Sequence, residues 1–236
     1  MRLLLLFLLA ACGSGEVPAA SVAAPAAGGD VGASAGASAP AAVDPAASGP
    51  RVVFLGDSLT AGLGLPGDQA YPAVIGRAFA EAGLPAQVVN AGVSGDTSAG
   101  GLRRVDWVLS QKPDVLVVAL GANDMLRGLP PEECAKNLRA IVERARAAGA
   151  DVLLVGMRAN PTLGPEYVAK FDAIYPALAA ELGVPLVPFL LDGIAAVPEL
   201  NQADGIHPTA EGQVKMAAMV RAALEPLARA RAAPAP

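Results

Sequence analysis

The sequence is poor in the residues that build metal centres, disulfide frameworks and nucleic-acid interfaces. Its 236 residues include two cysteines, Cys12 and Cys134, and a single histidine, His207. This set cannot supply a tetrahedral zinc site or a disulfide framework, so no resident metal is expected. The 17 Lys and Arg residues are scattered among 22 Asp and Glu residues, which argues against a nucleic-acid binder. Any mechanism that uses an imidazole must use His207.

The chain also lacks a glycine-rich phosphate-binding fingerprint, so neither a nucleotide nor a flavin cofactor is expected. Aromatic residues make up only 4% of the chain, with one Trp, three Tyr and five Phe. Few aromatic side chains are therefore available to stack against a sugar ring. Apolar residues nevertheless reach 53%, which excludes a chain that is disordered throughout.

The first eleven residues have the layout of a secretory signal. Arg2 precedes an apolar run at 3–9 that is too short to span a bilayer, and two small residues follow. The sequence Leu-Ala-Ala-Cys at 9–12 is similar to the bacterial lipobox, in which cleavage falls just before a cysteine that is then acylated. We therefore predict a lipoprotein-type signal peptide at 1–11, lipidation of Cys12 and a membrane anchor, with an ordinary secretion signal as the alternative.

This signal predicts export across the inner membrane and attachment to the bacterial cell envelope. A glycine rather than an aspartate follows Cys12. The resemblance to bacterial lipoproteins then implies the outer membrane, facing the periplasm, if the source is Gram-negative.

The composition changes after the signal. Residues 12–50 consist mainly of Ala, Gly, Pro and Ser and contain no aromatic residue, Leu, Ile or Met. Such a segment cannot bury enough apolar surface to offset its conformational entropy, so it is predicted to be a disordered tether. The folded domain is predicted at 51–229, followed by a short disordered tail at 230–236.

Five short apolar runs alternate with helical stretches in this domain. The runs are bounded by Gly, Pro, Asn or Asp and lie at 52–55, 86–90, 114–120, 151–157 and 185–189. Runs of this kind are typical of strands buried on both faces of a sheet. Helices are predicted at 71–82, 98–110, 131–148, 166–182 and 208–229. The alternation predicts an α/β fold with a parallel sheet, whose functional residues follow the carboxyl ends of the strands.

The residues that follow these strands point to one kind of chemistry. Gly-Asp-Ser at 56–58 follows the first strand, a glycine-bearing turn at 90–97 follows the second, and Gly-Ala-Asn-Asp at 121–124 follows the third. The last loop carries Asp204 and His207, three residues apart. A serine, glycine turns, an asparagine and an Asp/His pair on one sheet edge are the components of a serine acyl hydrolase.

Four of these blocks resemble the SGNH, or GDSL-type, hydrolase family. In chain order they are Gly56-Asp57-Ser58-Leu59, the turn at Gly95, Gly121-Ala122-Asn123-Asp124 and Asp204-Gly205-Ile206-His207. The stretches 88–97 and 171–176 are similar to the bacterial arylesterase, thioesterase and lysophospholipase branch. The resemblance covers nearly the whole domain and implies a flavodoxin-like three-layer α/β/α fold with a five-stranded parallel sheet. It departs at Ala122, where that branch usually has a second glycine, and the added methyl group is expected to narrow the site or shift Asn123.

The predicted catalytic residues are Ser58, Asp204 and His207. Ser58 is the nucleophile, His207 takes its proton and returns it to the leaving group, and Asp204 orients the imidazole. The backbone N–H groups of Ser58 and Gly95 and the side-chain amide of Asn123 form the predicted oxyanion hole.

The loop at 158–165 follows the fourth strand on the same edge of the sheet. It is predicted to form a wall of the substrate site, with Arg158, Leu163 and Gly164 as binding residues and Leu163 meeting an acyl chain. An ordinary connecting loop is the alternative.

Four further residues are predicted to have structural roles. Asp57, Asp96 and Asp124 are interpreted as turn and capping residues, and Cys134 as a small buried residue in a helix.

The sequence thus predicts a monomeric serine ester hydrolase that forms an acyl-enzyme and needs no metal or cofactor. Its predicted substrates are small esters, thioesters or lysophospholipids. One alternative is a carbohydrate-ester deacetylase of the same fold. A second alternative is a non-catalytic flavodoxin-like binding module on a lipoprotein tether.

Overall fold

The computed structural model describes residues 49–232. The predicted signal peptide, the lipidation site at Cys12 and most of the predicted tether lie outside the described residues. The last residue of that tether, Pro50, belongs to the folded domain because it is buried and its carbonyl accepts the Gln87 N–H at 2.9 Å. No helix within 49–232 is both long and apolar enough to cross a bilayer.

Five parallel strands form the central sheet, as the alternation of apolar runs predicts. They are β1 (Arg51–Gly56), β2 (Gln87–Gly92), β3 (Val115–Ala119), β4 (Asp151–Val155) and β5 (Leu186–Val187). Their order across the sheet is β2-β1-β3-β4-β5. Every residue of β3 is buried, because helices cover both faces of the sheet. The predicted α/β fold class is confirmed.

The part of the chain that the structure describes contains eight α-helices. They are α1 (Ser58–Ala61), α2 (Tyr71–Glu81), α3 (Ser98–Leu109), α4 (Ala122–Leu126), α5 (Pro131–Ala147), α6 (Pro165–Asp172), α7 (Ile174–Leu182) and α8 (Ala210–Ala232). Helix α2 packs against α8, and α3 packs against α5.

The helix predicted at 166–182 is divided into α6 and α7, because Pro176 interrupts the backbone hydrogen bonds. Pro176 has no N–H to donate to the carbonyl of Asp172, where α6 ends. The side-chain carboxylate of Asp172 accepts the Ala159 N–H at 2.8 Å, which connects the end of α6 to the loop after β4.

The last helix runs three residues beyond its predicted end. Residues 230–232, expected in the disordered tail, are helical, and Arg231 forms an ion pair of 2.7 Å with Asp151 at the start of β4. The far end of the tail, 233–236, lies outside the described residues.

The register of the sheet places the functional loops side by side. Gly56 at the end of β1 pairs with Gly92 of β2 on one side and with Ala119 of β3 on the other. The segments that follow these three strands therefore leave the sheet at one level, and they begin with α1, the turn around Gly95 and α4.

Candidate active site

Ser58 lies at the start of a short helix that begins two residues after β1. Asp57 caps this helix, because its Oδ1 accepts the Leu59 N–H at 3.0 Å. A side chain at Gly56 has no space, since its Cβ would lie 2.0 Å from Thr60 Oγ1. The glycine therefore lets α1 fold back tightly over the strand end and present the Ser58 hydroxyl at the edge of the sheet.

Ser58, His207 and Asp204 form a continuous hydrogen-bonded chain. His207 Nε2 lies 2.9 Å from Ser58 Oγ, and His207 Nδ1 lies 2.6 Å from Asp204 Oδ2. Asp204 Oδ1 also accepts the backbone N–H groups of His207 at 3.0 Å and Ile206 at 2.9 Å. These bonds from His207 and Ile206 hold the pKa of Asp204 well below its usual range. The carboxylate is therefore ionised and can hold the imidazole in one orientation.

Two polar residues that sequence reasoning missed secure the histidine loop. Asn201 Nδ2 donates to the carbonyls of Ile194 at 2.7 Å and Val197 at 2.8 Å. Gln202 Nε2 donates to Leu63 O at 2.8 Å and to Pro208 O at 3.0 Å, and the Gln202 backbone N–H donates to His207 O at 2.7 Å. The histidine loop is thereby attached to the segment that follows α1.

Gly95 lies in a tight turn after β2. The Asp96 N–H donates to Val93 O at 3.1 Å and closes the turn, and Gly95 has a φ of 79°. This left-handed conformation favours glycine over any residue with a Cβ. Ser58, Gly95, Asn123 and His207 all line one cavity, so the structure brings the predicted nucleophile, base and oxyanion donors together.

The Asn123 amide is oriented by two oxygens. Its Nδ2 donates to Asp96 O at 3.0 Å and lies 3.4 Å from Asp57 Oδ2. Asn123 belongs to α4, whose first residue, Ala122, lines the cavity without a positive φ. The methyl group of Ala122 is therefore accommodated without backbone strain.

The three aspartates next to the site bind protein groups. Asp57 is buried, and desolvation raises its pKa to about 6. Asp96 forms an ion pair of 2.7 Å with Arg104. Asp124 accepts the Ser98 N–H at 2.7 Å and the Ser98 hydroxyl at 2.5 Å, which joins α4 to the start of α3. The hydrogen bond that Asp57 accepts from the Leu59 N–H of α1 confirms its predicted capping role.

Cys134 is buried in α5, as the sequence predicts. Its side chain is 1% exposed, and burial raises the pKa of its thiol to about 12. The thiol is therefore neutral and shielded, which is the opposite of what a reactive cysteine requires.

The cavity beside Ser58 has a volume of about 680 Å³ and a mainly apolar wall. Its apolar lining includes Leu59, Met125, Leu126, Met157, Phe189 and Ile206. Among the described residues that line it, Arg158 is the one Arg, Lys, Asp or Glu, and its guanidinium carbon lies 5.4 Å from the centre of the Phe189 ring. This volume and lining are typical of a site for a small molecule with an apolar part.

The structure places the predicted substrate-binding residues in two different locations. Arg158 lines the cavity, but Leu163 and Gly164 border a separate pocket beside Tyr167. A 3-10 turn at Pro161–Leu163 redirects the chain, and Leu163 packs against the core. Contact between Leu163 and an acyl chain in the cavity is therefore not supported.

Within residues 49–232, no group of three or more His, Cys, Asp or Glu residues is placed to hold a metal ion. The described site consists of a hydroxyl, an imidazole, carboxylates and N–H donors around an apolar cavity.

Known proteins match both the sequence and the fold. The profile of the GDSL-like lipase/acylhydrolase family matches residues 54–215. The chain is 42% identical over 182 residues to the esterase TesA of Pseudomonas aeruginosa, covering 77% of this chain and 90% of that protein. It is 39% identical over 183 residues to thioesterase 1/protease 1/lysophospholipase L1 of Escherichia coli, covering 77% and 86%. The crystal structure of AlinE4, an SGNH-hydrolase family esterase, matches with a TM-score of 0.65 and 43% identity, covering 80% of this chain and 98% of that one.

Proposed function

This chain belongs to the GDSL-like lipase/acylhydrolase family and is a serine hydrolase that acts on ester bonds, and we propose that Ser58 is its nucleophile. The membership confirms the resemblance of the four sequence blocks to SGNH hydrolases. The observation that supports the role of Ser58 is the hydrogen-bonded chain from its hydroxyl through His207 to Asp204.

Acyl transfer begins with proton transfer from Ser58 Oγ to His207 Nε2. The oxygen attacks the ester carbonyl while Asp204 accepts the Nδ1–H of the imidazole and stabilises the imidazolium. Collapse of the tetrahedral intermediate breaks the bond to the leaving group, which takes the proton from Nε2. Water then attacks the acyl-enzyme and gives a proton to His207 Nε2. Collapse of the second tetrahedral intermediate breaks the bond to Ser58 Oγ, which takes that proton back, and the carboxylic acid is released.

The oxyanion formed in each step is stabilised by three N–H donors. We assign these donors to the backbone of Ser58, the backbone of Gly95 and the side-chain amide of Asn123, which all line the cavity. Each donor of this kind typically lowers the barrier by about 2.7–4 kcal/mol. The bond to Asp96 O supports this assignment, because it uses one N–H of the Asn123 amide and fixes the group before the substrate binds. The second N–H has only a long contact of 3.4 Å between Nδ2 and Asp57 Oδ2, and we assign this N–H to the oxyanion.

The apolar cavity supports a substrate with an acyl chain. Burial of each methylene group contributes about 0.8 kcal/mol, or about fourfold in kcat/KM, until the chain fills the cavity. The names of the relatives support carboxylic esters, thioesters and lysophospholipids as the substrate classes. Phe189 is the one Phe, Tyr or Trp among the described residues of the lining, which gives little support to a carbohydrate-ester deacetylase.

A series of p-nitrophenyl esters from acetyl to dodecanoyl tests this proposal, alongside an acyl-CoA and a lysophospholipid. We expect kcat/KM to rise from the acetyl ester to a longer one and then to level off. A chain-length profile that is flat or highest at acetyl would contradict an acyl-binding cavity. Absence of ester turnover would contradict the catalytic proposal and leave a binding module.

We further propose that the protein acts as a monomer and that Cys12 attaches it to the cell envelope. The sequence Leu-Ala-Ala-Cys at 9–12 supports the anchor, and the composition of residues 13–48 supports a tether between anchor and enzyme.

A further inference from the structure

Arg104 binds the ends of two strands that lead into the active site and is not among the residues that carry out the chemistry. It belongs to α3, and its side chain is 18% exposed. Its guanidinium donates three hydrogen bonds, to Asp96 Oδ2 at 2.7 Å, Ala91 O at 2.7 Å and Gly56 O at 2.9 Å. One planar group therefore binds the end of β1, the end of β2 and the turn that follows β2.

Each of these acceptors belongs to a segment that carries a proposed oxyanion donor. Gly56 lies two residues before Ser58, and Asp96 directly follows Gly95. The backbone carbonyl of Asp96 accepts the Asn123 amide at 3.0 Å. Arg104 thus contacts the segments of Ser58 and Gly95 directly and is connected to Asn123 through Asp96.

The Asp96 carboxylate has little freedom to move. Its side chain is 11% exposed, and its Oδ1 occupies the space that a Cβ on Gly100 would need, at 1.7 Å. An ion pair with little solvent exposure and bidentate or branched hydrogen bonding is more rigid than a surface pair. The ion pair therefore fixes the residue that directly follows Gly95.

We propose that Arg104 is a positioning residue that aligns the three oxyanion donors. This inference rests on the proposed function, because it requires Ser58, Gly95 and Asn123 to be those donors. Misaligned donors weaken binding of the transition state more than binding of the substrate, since the oxyanion exists only in the transition state. Loss of Arg104 should therefore lower kcat and leave KM nearly unchanged.

The test compares Arg104→Gln with Arg104→Lys and with Arg103→Gln, an exposed neighbour on the same helix. We expect Arg104→Gln to lower kcat about 10- to 100-fold while KM changes less than about threefold. Arg104→Lys should recover part of the loss, because it keeps the charge beside Asp96 but cannot reach three acceptors. Arg103→Gln should retain wild-type kcat.

A matched pair of inhibitors provides a second readout. A trifluoromethyl ketone forms a tetrahedral oxyanion with an active serine, whereas a methyl ketone of the same chain length binds without reaction. Arg104→Gln should weaken the first by the same factor as kcat and leave affinity for the second unchanged. If the variant folds poorly, Asp96→Asn removes the ion pair instead and should show the same selective loss.

Three results separate the possible failures. Equal losses for both ketones, with no recovery in Arg104→Lys, would mean a general structural role and would overturn the inference. Wild-type kcat in Arg104→Gln, together with a large loss in Asn123→Ala, would overturn the inference but retain the proposed oxyanion hole. Wild-type kcat in Asn123→Ala would overturn the proposed oxyanion hole, and with it this role of Arg104.

Discussion

The pKa values of two aspartates in the active site are shifted in opposite directions by their surroundings. Asp57 is buried, and desolvation raises its pKa to about 6 despite the hydrogen bond from Leu59. Asp204 is exposed to solvent, and the hydrogen bonds from His207 and Ile206 lower its pKa. One carboxylate is ionised throughout the working range, whereas the other gains a proton in mildly acidic solution. Their positions in the chain do not reveal this difference, because each follows from contacts that only the fold creates.

Asp57 should make the folded state more stable as the pH falls from 7 towards 4. A carboxyl group whose pKa is raised from 3.8 to about 6 binds its proton more tightly in the folded than in the unfolded state. The contribution is about 3 kcal/mol across this window, as an order of magnitude. The free energy of unfolding, measured with urea at several pH values, should depend on pH in this way in the wild type and less steeply in Asp57→Asn. An identical slope in both proteins would contradict the buried, shifted carboxyl group.

Removal of the base should cost more activity than removal of the group that orients it. We expect His207→Ala to lower kcat by about 10⁶ and Asp204→Asn by about 10⁴, because the second variant retains an imidazole beside Ser58. Steady-state kinetics on a p-nitrophenyl ester, with circular dichroism to check folding, measure both losses. A larger loss of kcat in Asp204→Asn than in His207→Ala would argue against His207 as the base.

Removal of one oxyanion donor should lower kcat without a matching change in KM. For Asn123→Ala the expected loss is about 10²–10³, as for other side-chain donors of this kind. The same assay checks it, and Asn137→Ala provides a control, because Asn137 is an amide on α5 that donates to Ser98 Oγ outside the cavity. A change in KM alone would mean that Asn123 binds the substrate and does not stabilise the transition state.

At the scale of elements, the two short helices of the site depend on glycine. Gly121 precedes α4 with a φ of 114°, and a Cβ there would lie 2.1 Å from the hydroxyl oxygen of Tyr175. That hydroxyl donates to Leu120 O at 2.9 Å and is fixed in the core. The backbone before Asn123 therefore combines a left-handed conformation with close contact to a side chain.

Gly121→Ala should destabilise the protein more than Gly128→Ala does. Both glycines have a positive φ, but no atom lies within 4 Å of a Cβ on Gly128. The control should cost about 1–2 kcal/mol from backbone strain alone, and Gly121→Ala should exceed it because Tyr175 must move. Thermal or urea unfolding of both variants gives the comparison. Equal losses of stability in the two variants would show that the Tyr175 side chain can move without a free-energy penalty.

The elements that the sequence predicts best are those with a clear periodic pattern. The five strands follow from continuous apolar runs, and their carboxyl ends correctly locate Ser58, Gly95 and Asn123 on one edge of the sheet. Helices α1 and α4 are too short to show a helical period, and tertiary contacts stabilise them. The roles of Gln202 and Arg104 could not be predicted, because their partners lie far away in the sequence. Gln202, for example, binds Leu63, which is 139 residues earlier.

At the scale of the whole molecule, the described domain contains a complete candidate site. Its oxyanion turn, nucleophile and base come from segments between residue 56 and residue 207. The proposed anchor at Cys12 is separated from Gly49 by residues 13–48.

Cys12→Ser should release the protein from the envelope membrane without loss of its catalytic activity. A single acyl chain binds membranes only marginally, so stable anchoring requires the multiple chains of a processed lipoprotein cysteine. Fractionation of cells that express wild-type and Cys12→Ser protein measures the distribution, and intact-mass analysis detects the acyl groups. Wild-type protein that is fully soluble and carries no acyl mass would contradict the anchor.

The most direct test of the central claim is mass analysis of the acyl-enzyme. Wild-type protein is mixed with a p-nitrophenyl ester, quenched in acid within milliseconds and digested for peptide mapping. We expect the mass of one acyl group on the peptide that contains Ser58, and we expect neither acylation nor turnover in Ser58→Ala. Ester hydrolysis by pure, folded Ser58→Ala, or acylation at a different residue of the wild type, would contradict Ser58 as the nucleophile.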